Sequence, residues 1–246
     1  MEKIKVSLVS YLNSRPFLYG IRHSSINKDI LLSLDPPGVC ADKLINRTAD
    51  VGLVPIAAIP VIPGCTIISD YCISATGKVN SVLLLSDVPL NEITKIILDQ
   101  ESRTSVLLAR ILAKKYWKID PVWEMENNDG LVNAKNTTAA VVIGDRALAM
   151  KPGYNYIYDL SEEWFKMTAL PFVFACWVSN KRLNKKFLAS FNEALQFGAE
   201  HINDLLDQDG LSQNDKDYLM NSIEYRLNEK KKEGIDLYLN LIREIS

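Results

Sequence analysis

The residues best suited to chemistry lie near the amino terminus, in the stretch Ser10–Phe17 with the sequence SYLNSRPF. This stretch offers hydroxyl groups, one amide and one guanidinium, and it contains no acid, histidine or cysteine. Such groups donate hydrogen bonds to an anion more readily than they abstract a proton. We therefore predict that the side chains of Ser10, Tyr11, Asn13 and Arg15 bind an anionic group.

A second group of donors begins a helix that the sequence pattern predicts from Ser102 to Trp117. Its first residues are Ser102, Arg103, Thr104 and Ser105. The amino end of a helix presents unpaired N–H groups and a partial positive charge, so a carboxylate or phosphate fits there. Spacing alone equally favours a hydroxyl-rich helix cap that binds no ligand.

Two further clusters accompany predicted strands. Ser81 lies on a strand predicted from Val79 to Ser86, and Asp145 follows a continuous apolar strand from Thr138 to Ile143. Asp145 is the only carboxylate in these clusters, which makes it the one candidate for a base or for a residue that orients a base. The simpler interpretation of Asp145 is a cap on the short helix that follows.

The stretch Ser10–Phe17 must be positioned by the elements on either side of it. It follows an apolar, β-branched run from Ile4 to Val9 that predicts a buried strand, and Pro16 suits the first turn of a helix. Ligands of α/β proteins bind at the carboxyl ends of such strands. Strands and helices alternate, which predicts an α/β fold with crossover connections. The other predicted strands are Ile30–Leu34, Asp50–Pro55, Thr66–Ser74, Lys95–Leu98, Ile157–Leu160 and Pro171–Val178.

The order of the elements predicts two lobes. The chain leaves the first lobe near residue 80 and returns near residue 175, so residues 1–82 and 175–246 form lobe one and residues 83–174 form lobe two. Two crossings of this kind predict a cleft with a double hinge. The last third is predicted to be helical, with Asn184 and Ser212 as helix caps and with a Ser161 cap on an earlier helix.

The composition excludes several classes of function. Of the 246 residues, 48% are hydrophobic and 24% charged, and the net charge is -2. Nucleic-acid-binding proteins usually carry a basic excess, so no nucleic-acid partner is expected. The run Lys230–Lys232 lies between glutamates and predicts a solvated helix face. No segment is apolar enough to span a bilayer or to form a signal-peptide core, so we expect a cytoplasmic protein without a membrane partner.

Residues that bind metals or act as nucleophiles are not grouped in the sequence. It contains no P-loop, GxGxxG, HExxH or GxSxG pattern and no zinc-site spacing, so no metal site is expected. In a reducing compartment the cysteines are predicted to be small buried hydrophobic residues; they are Cys40, Cys65, Cys72 and Cys176.

Five motifs, in order along the chain, resemble the menaquinone-biosynthesis family of the futalosine route. They are Ser10–Phe17, Ala49–Ala57, Ser102–Ser105, Ile143–Asp145 and Leu170–Ala175. The resemblance extends to about residue 180, and the later helices match only in character. It implies a two-lobed α/β fold similar to type II periplasmic binding proteins. Each lobe would be a mixed, mostly parallel sheet flanked by helices, and the ligand cleft would lie between the lobes.

The opening Ser-Tyr-Leu-Asn is similar to the branch of this family that dehydrates chorismate. The resemblance implies that chorismate loses water to give 3-[(1-carboxyvinyl)oxy]benzoate without a cofactor. In this hypothesis Asn13 is the catalytic polar group, the Ser102–Ser105 helix start holds one carboxylate, and the first loop with Ser81 holds the other. The proton acceptor is either a sufficiently buried Asp145 or the enolpyruvyl carboxylate of the substrate, which we favour because the first loop contains only donors.

Two alternatives stay open at the level of sequence. A sibling enzyme of the same route makes 1,4-dihydroxy-6-naphthoate, but it opens with a Ser-Pro-Cys-Pro-Asn-Asp type of motif. A non-catalytic solute-binding protein would share the fold, but it would need a signal peptide or a lipid anchor. The sequence does not predict an oligomeric state.

Overall fold

The computed structural model describes residues 3–99, 103–126, 134–150 and 153–245. Its strands are β1 (Ile4–Val9), β2 (Ile30–Asp35), β3 (Val51–Pro55), β4 (Thr66–Ala75), β5 (Val82–Ser86), β6 (Lys95–Asp99), β7 (Val122–Glu126), β8 (Thr138–Ile143), β9 (Tyr156–Asp159), β10 (Phe172–Ser179) and β11 (Glu224–Arg226). Its helices are α1 (Arg15–Arg22), α2 (Pro37–Ile45), α3 (Arg103–Leu112), α4 (Gly144–Ala149), α5 (Leu160–Thr168), α6 (Lys185–Glu200), α7 (Ile202–Asp209), α8 (Gln213–Asp217) and α9 (Glu229–Ile245).

The chain divides into two compact units, of which the first contains Met1–Ser74 and Val173–Glu229. Its sheet has the strand order β11-β4-β10-β3-β1-β2. Strand β1 pairs in parallel with β2 and β3, and β10 pairs antiparallel with β3. Phe17 on α1 is fully buried and makes edge contacts with Trp177 and Tyr225 at ring-centroid distances of 5.8 and 5.3 Å. This aromatic contact anchors the amino end of α1 beside the sheet.

The second unit contains Ala75–Phe172 and Lys230–Ser246, with the strand order β7-β6-β8-β5-β9. Strand β6 pairs in parallel with β7 and β8, whereas β5 pairs antiparallel with β8 and β9. The carboxyl ends of β6 and β8 therefore share one edge of the sheet with the amino end of β5. Leu85, Ile97 and Val142 belong to the buried apolar cluster of this unit.

Most predicted elements are present, and the fold is the predicted α/β class with mixed sheets. Two details of these elements differ from the prediction. Strand β5 begins at Val82 rather than Val79, because Val79 and Asn80 donate their N–H groups to the Asp159 side chain instead of to a neighbouring strand. Asp159, rather than Ser161, caps α5, because its side chain also accepts hydrogen bonds from the N–H groups of Ser161 and Glu162. The predicted caps Asn184 and Ser212 are confirmed.

The final helix belongs to the second unit. The sequence had predicted it in lobe one, together with the rest of residues 175–246. Tyr238 on α9 is buried and donates a hydrogen bond to the Thr104 carbonyl at 2.8 Å. Gly234 lies against the Pro171 carbonyl, where an added Cβ would be 2.5 Å from the oxygen. Lys231 is only 2% exposed, so the prediction of a solvated face is wrong for that residue. The lobe boundaries at 82/83 and 174/175 stay a prediction from the sequence, and the compact units of the structure divide the chain at 74/75, 172/173 and 229/230.

The predicted burial of the cysteines is confirmed for Cys40, Cys72 and Cys176, whereas Cys65 is half-buried. Over the described ranges, no helix is long and apolar enough to cross a membrane.

Candidate functional site

The loop between β1 and α1 carries the first predicted site residues. The Ser10 N–H donates to the Asp35 carbonyl at 3.0 Å, which ties the loop to the end of β2. Ser14 Oγ donates to the Val9 carbonyl and lies 2.7 Å from the Tyr11 carbonyl oxygen. Pro16 then occupies the first turn of α1. These backbone contacts fix the loop, so Ser14 and Asp35 are supporting residues that the sequence prediction had missed.

Ser10, Tyr11 and Arg15 line a cavity of about 490 Å³ inside the first unit. None of the described residues that line it is acidic. Arg22 and His23, at the end of α1, add basic groups to the same lining. The cavity therefore has the electrostatic character expected of an anion-binding surface. The structure brings these three predicted residues together, as the short loop requires.

Asn13 does not line that cavity. It lies in the short 3₁₀ turn Leu12–Ser14, and its Nδ2 donates to the hydroxyl of Tyr218 at 3.3 Å. Tyr218 is buried and lies 205 residues away along the chain. This partner orients the amide of Asn13, and no local sequence pattern predicts such a contact.

In the second unit, Ser81 and Asp145 lie on the sheet edge described above. Val82 is paired with Ile143, and the Gly144 N–H donates to the Ser81 carbonyl at 2.7 Å. Ser81 is 2% exposed, whereas Asp145, in the first turn of α4, is exposed. The structure thus brings these two predicted residues together at the backbone level, through the hydrogen bond between the Ser81 carbonyl and the N–H of Gly144, the residue before Asp145.

The start of α3 belongs to the same unit. Arg103 is exposed, whereas Thr104 and Ser105 are 4% and 3% exposed. Ser102 lies outside the described residues. Asp99 ends β6 in a buried position and forms a salt bridge with Arg146 on α4, which links the ends of the parallel strands β6 and β8. The sequence does not predict this ion pair, because nothing in the spacing of its partners indicates that they meet.

Asp159 is another residue that the sequence prediction had missed. Its Oδ2 accepts hydrogen bonds from the N–H groups of Val79 and Asn80, and its Oδ1 accepts from those of Ser161 and Glu162. Burial raises the pKa of the Asp159 carboxyl group, although each of the four N–H donors acts to lower it. Its position two residues before Ser161 was the available signal, because aspartate is a preferred helix cap.

The described part of the chain contains no group of three histidine, cysteine or acidic side chains that could hold a metal ion. Burial also raises the pKa of the Cys40 and Cys65 thiols to about 11, which keeps them protonated near neutral pH. Apart from Asp145, the described side chains of the predicted site are therefore hydrogen-bond donors and cations.

The profile of the family described as menaquinone biosynthesis matches residues 4–244. A chorismate dehydratase from Thermus thermophilus is 32% identical over 128 residues, which cover 45% of this chain and 46% of the relative. The match thus spans about half of the curated relative's length.

Two solved structures share the fold at low sequence identity. A protein from Archaeoglobus fulgidus has a TM-score of 0.68 at 14% identity, covering 99% of this chain and 96% of that chain. The periplasmic aliphatic sulphonate binding protein of Escherichia coli has a TM-score of 0.63 at 15% identity, covering 99% of this chain and 92% of that chain. The fold is therefore of the periplasmic-binding-protein type.

Proposed function

The chain belongs to the menaquinone-biosynthesis family, and on that premise we propose that it removes water from chorismate to give 3-[(1-carboxyvinyl)oxy]benzoate. The observation that carries the proposal is the 32% identity to the Thermus thermophilus chorismate dehydratase. The protein would act as a hydro-lyase on a small molecule, and the chemistry needs no redox step because only water is lost.

The residues of the first unit fit one carboxylate of this substrate. Ser10, Tyr11 and Arg15 line a cavity in which no described residue is acidic, so a carboxylate there meets donors and positive charge. Asn13 lies in the same loop, and we assign its amide the task of orienting the leaving hydroxyl. Tyr218 would hold that amide in place through its hydroxyl.

The residues of the second unit fit the other carboxylate. The amino end of α3, with Arg103, Thr104 and Ser105, provides N–H groups and a cation. In the proposal Ser81 donates its hydroxyl to the substrate from the same sheet edge, and Ser102, which precedes Arg103 in the sequence, stays a predicted donor to the same carboxylate.

The reaction removes the hydrogen of the ring carbon that bears the enolpyruvyl ether, and the neighbouring hydroxyl leaves. The ring carboxylate acidifies this hydrogen through the diene, and formation of the aromatic ring drives the elimination. Donors that hold the extra negative charge on the ring carboxylate therefore stabilise the transition state. One well-placed donor of this kind contributes about 3 to 4 kcal/mol in other enzymes.

The exposure of Asp145 supports the substrate as its own proton acceptor. Enzymes often tune a carboxylate base by burying it, and Asp145 is exposed in its unit. In the proposed mechanism the enolpyruvyl carboxylate takes the proton while the protein holds the substrate folded.

Replacing Asn13 tests the assignment of the catalytic group. We expect Asn13→Ala to lower kcat at least 100-fold while chorismate binding, measured by calorimetry, changes little. Asn203→Ala, which changes an exposed asparagine on α7, is the matched control and keeps wild-type turnover. Full turnover by the Asn13 variant would remove Asn13 from the mechanism.

Replacing Asp145 distinguishes between the two candidate proton acceptors, Asp145 itself and the enolpyruvyl carboxylate of the substrate. Because the substrate carboxylate takes the proton in our proposal, Asp145→Asn keeps kcat within about threefold of the wild type. An enzyme base would instead contribute about 10²- to 10⁴-fold. Asp120→Asn is the control for changing an exposed aspartate in the same unit. A loss of that size, confined to the Asp145 variant, would replace substrate assistance with an enzyme base.

A further inference from the structure

The buried carboxylate of Asp159 connects two separate segments of the second unit. The side chain is 4% exposed and lies between the end of β9 and the start of α5. Its Oδ1 caps α5, at 3.0 Å from the Ser161 nitrogen and 3.2 Å from the Glu162 nitrogen. Its Oδ2 accepts from the Val79 and Asn80 nitrogens at 2.9 and 2.6 Å. Each oxygen therefore serves a different segment.

The turn held by Oδ2 leads directly into the proposed site. Asn80 has a φ of 61°, a left-handed conformation that is uncommon for residues other than glycine. Ser81 follows, and its carbonyl accepts the Gly144 N–H at 2.7 Å at the start of α4. The turn thus sets the position of Ser81 and, through one further hydrogen bond, that of the backbone next to Asp145.

Capping α5 does not by itself require a carboxylate. A single oxygen of serine, threonine or asparagine caps a helix about as well as aspartate does. A buried carboxylate is costly, as the raised pKa of Asp159 indicates. The second oxygen makes both of its hydrogen bonds to the turn and none to α5. The need for an acceptor at the turn therefore explains why aspartate is present.

We propose that Asp159 is a positioning residue for the dehydration: it holds the left-handed turn at Asn80 so that Ser81 presents its hydroxyl to the substrate. This inference rests on the proposed function, because it gives Ser81 a role toward chorismate. Asp159 itself does not touch the substrate, and its effect on turnover passes through Ser81.

Two variants of Asp159 test its contact with the turn separately from its role as the cap of α5. Asp159→Ser keeps a capping oxygen for α5 but is too short to reach the turn, and Asp159→Asn keeps the shape while losing one acceptor oxygen. We expect both to lower kcat/KM about 10- to 100-fold, the size of effect that a misplacement of about 1 Å produces. Asn184→Ala, which removes the cap of α6 in the first unit, is the control for lost capping and keeps kcat/KM within about twofold.

A double-mutant cycle with Ser81→Ala identifies the route of the effect. If Asp159 acts through Ser81, Asp159→Asn lowers kcat/KM by less than about threefold in the Ser81→Ala background. Thermal unfolding of each variant shows that the assays are run on folded protein. The inference would be overturned if the two single-variant losses of kcat/KM multiplied in the double variant. It would also be overturned if both Asp159 variants were as active as the wild type. Either result would leave the proposed function intact. A wild type that neither binds nor converts chorismate would overturn both.

Discussion

At the scale of single residues, Asp35 joins the candidate site to the core of the first unit. Its backbone carbonyl accepts the Ser10 N–H, and its side chain accepts hydrogen bonds from Ser7 and Ser33 at 2.7 Å each. Lys43 Nζ lies 2.7 and 2.6 Å from the two carboxylate oxygens. Burial raises the pKa of the Asp35 carboxyl group, but these hydrogen bonds lower it by more, so the net shift is downward.

The lowered pKa of Asp35 predicts a contribution to stability that depends on pH. A group with a depressed folded-state pKa stabilises the protein above its unfolded pKa of about 3.9, and this contribution is lost as the pH falls through the folded value. Lys43→Met removes the main cause of the depression. We expect the free-energy difference between wild type and Lys43→Met, measured by urea unfolding, to be largest near pH 6 and to shrink below pH 4. Lys28→Met is the control at an exposed lysine. A difference that stays constant down to pH 3 would contradict this account.

Residue types and spacing indicated the donors of the first loop, but the sequence could not show what holds them. The hydroxyl and amide groups of Ser10–Phe17 are visible in the sequence, and their position at the carboxyl end of β1 follows from the apolar run before them. Tyr218 reaches Asn13 across 205 residues, and Asp159 reaches Asn80 across 79. Contacts at such separations are products of tertiary packing and leave no local pattern.

At the scale of elements, two glycines let α1 and α6 approach with their backbones in contact. A Cβ added to Gly198 would lie 1.9 Å from the Pro16 carbonyl oxygen, and one added to Gly20 would lie 2.0 Å from the Ala194 carbonyl oxygen. Both distances are far below any real carbon–oxygen contact. The glycines therefore set the position of α1, whose first turn carries Arg15.

This contact predicts that Gly198→Ala destabilises the protein. The methyl group must push α1 away from α6, and overpacking of this kind costs about 1 to 3 kcal/mol. Gly38→Ala on α2 is the matched control: its added Cβ meets no atom within 4 Å, and removing a helical glycine stabilises by about 0.5 to 1 kcal/mol. The two free energies of unfolding are measured in urea. Equal values for the two variants would contradict the close approach of α1 and α6.

Helix and strand positions followed from periodicity because most of them depend on local apolar patterns. The shorter β5 did not, because the distant carboxylate of Asp159 competes there with strand pairing. The close contact of Gly198 with Pro16 also joins segments that are remote in the sequence.

At the scale of the whole molecule, α9 completes the second unit although it is the last element of the chain. Tyr238 is fully buried, with edge contacts to Phe172 and Trp164 at centroid distances of 5.2 and 6.1 Å. The sequence predicts this helical segment within lobe one, whereas the structure has it in the second unit. An apolar face fits either core, so only the packing decides.

This packing predicts that Tyr238→Ala destabilises the second unit selectively. Truncating a large buried aromatic residue costs about 3 to 5 kcal/mol. We expect amide hydrogen exchange to rise in β5 and β8, while β1 and β3 keep most of their protection. Tyr116→Ala, at a tyrosine that is 38% exposed, is the control in the same unit. A loss of protection confined to the first unit would contradict the placement of α9.

The central claim is that the chain converts chorismate without any added cofactor, and it is tested by incubating the purified protein with chorismate alone. Chromatography and mass spectrometry then follow the substrate and the products. The account predicts 3-[(1-carboxyvinyl)oxy]benzoate at a rate well above the spontaneous decay seen without protein. Unchanged chorismate in the presence of folded protein would contradict it, and a thermal shift without turnover would identify a binding protein instead.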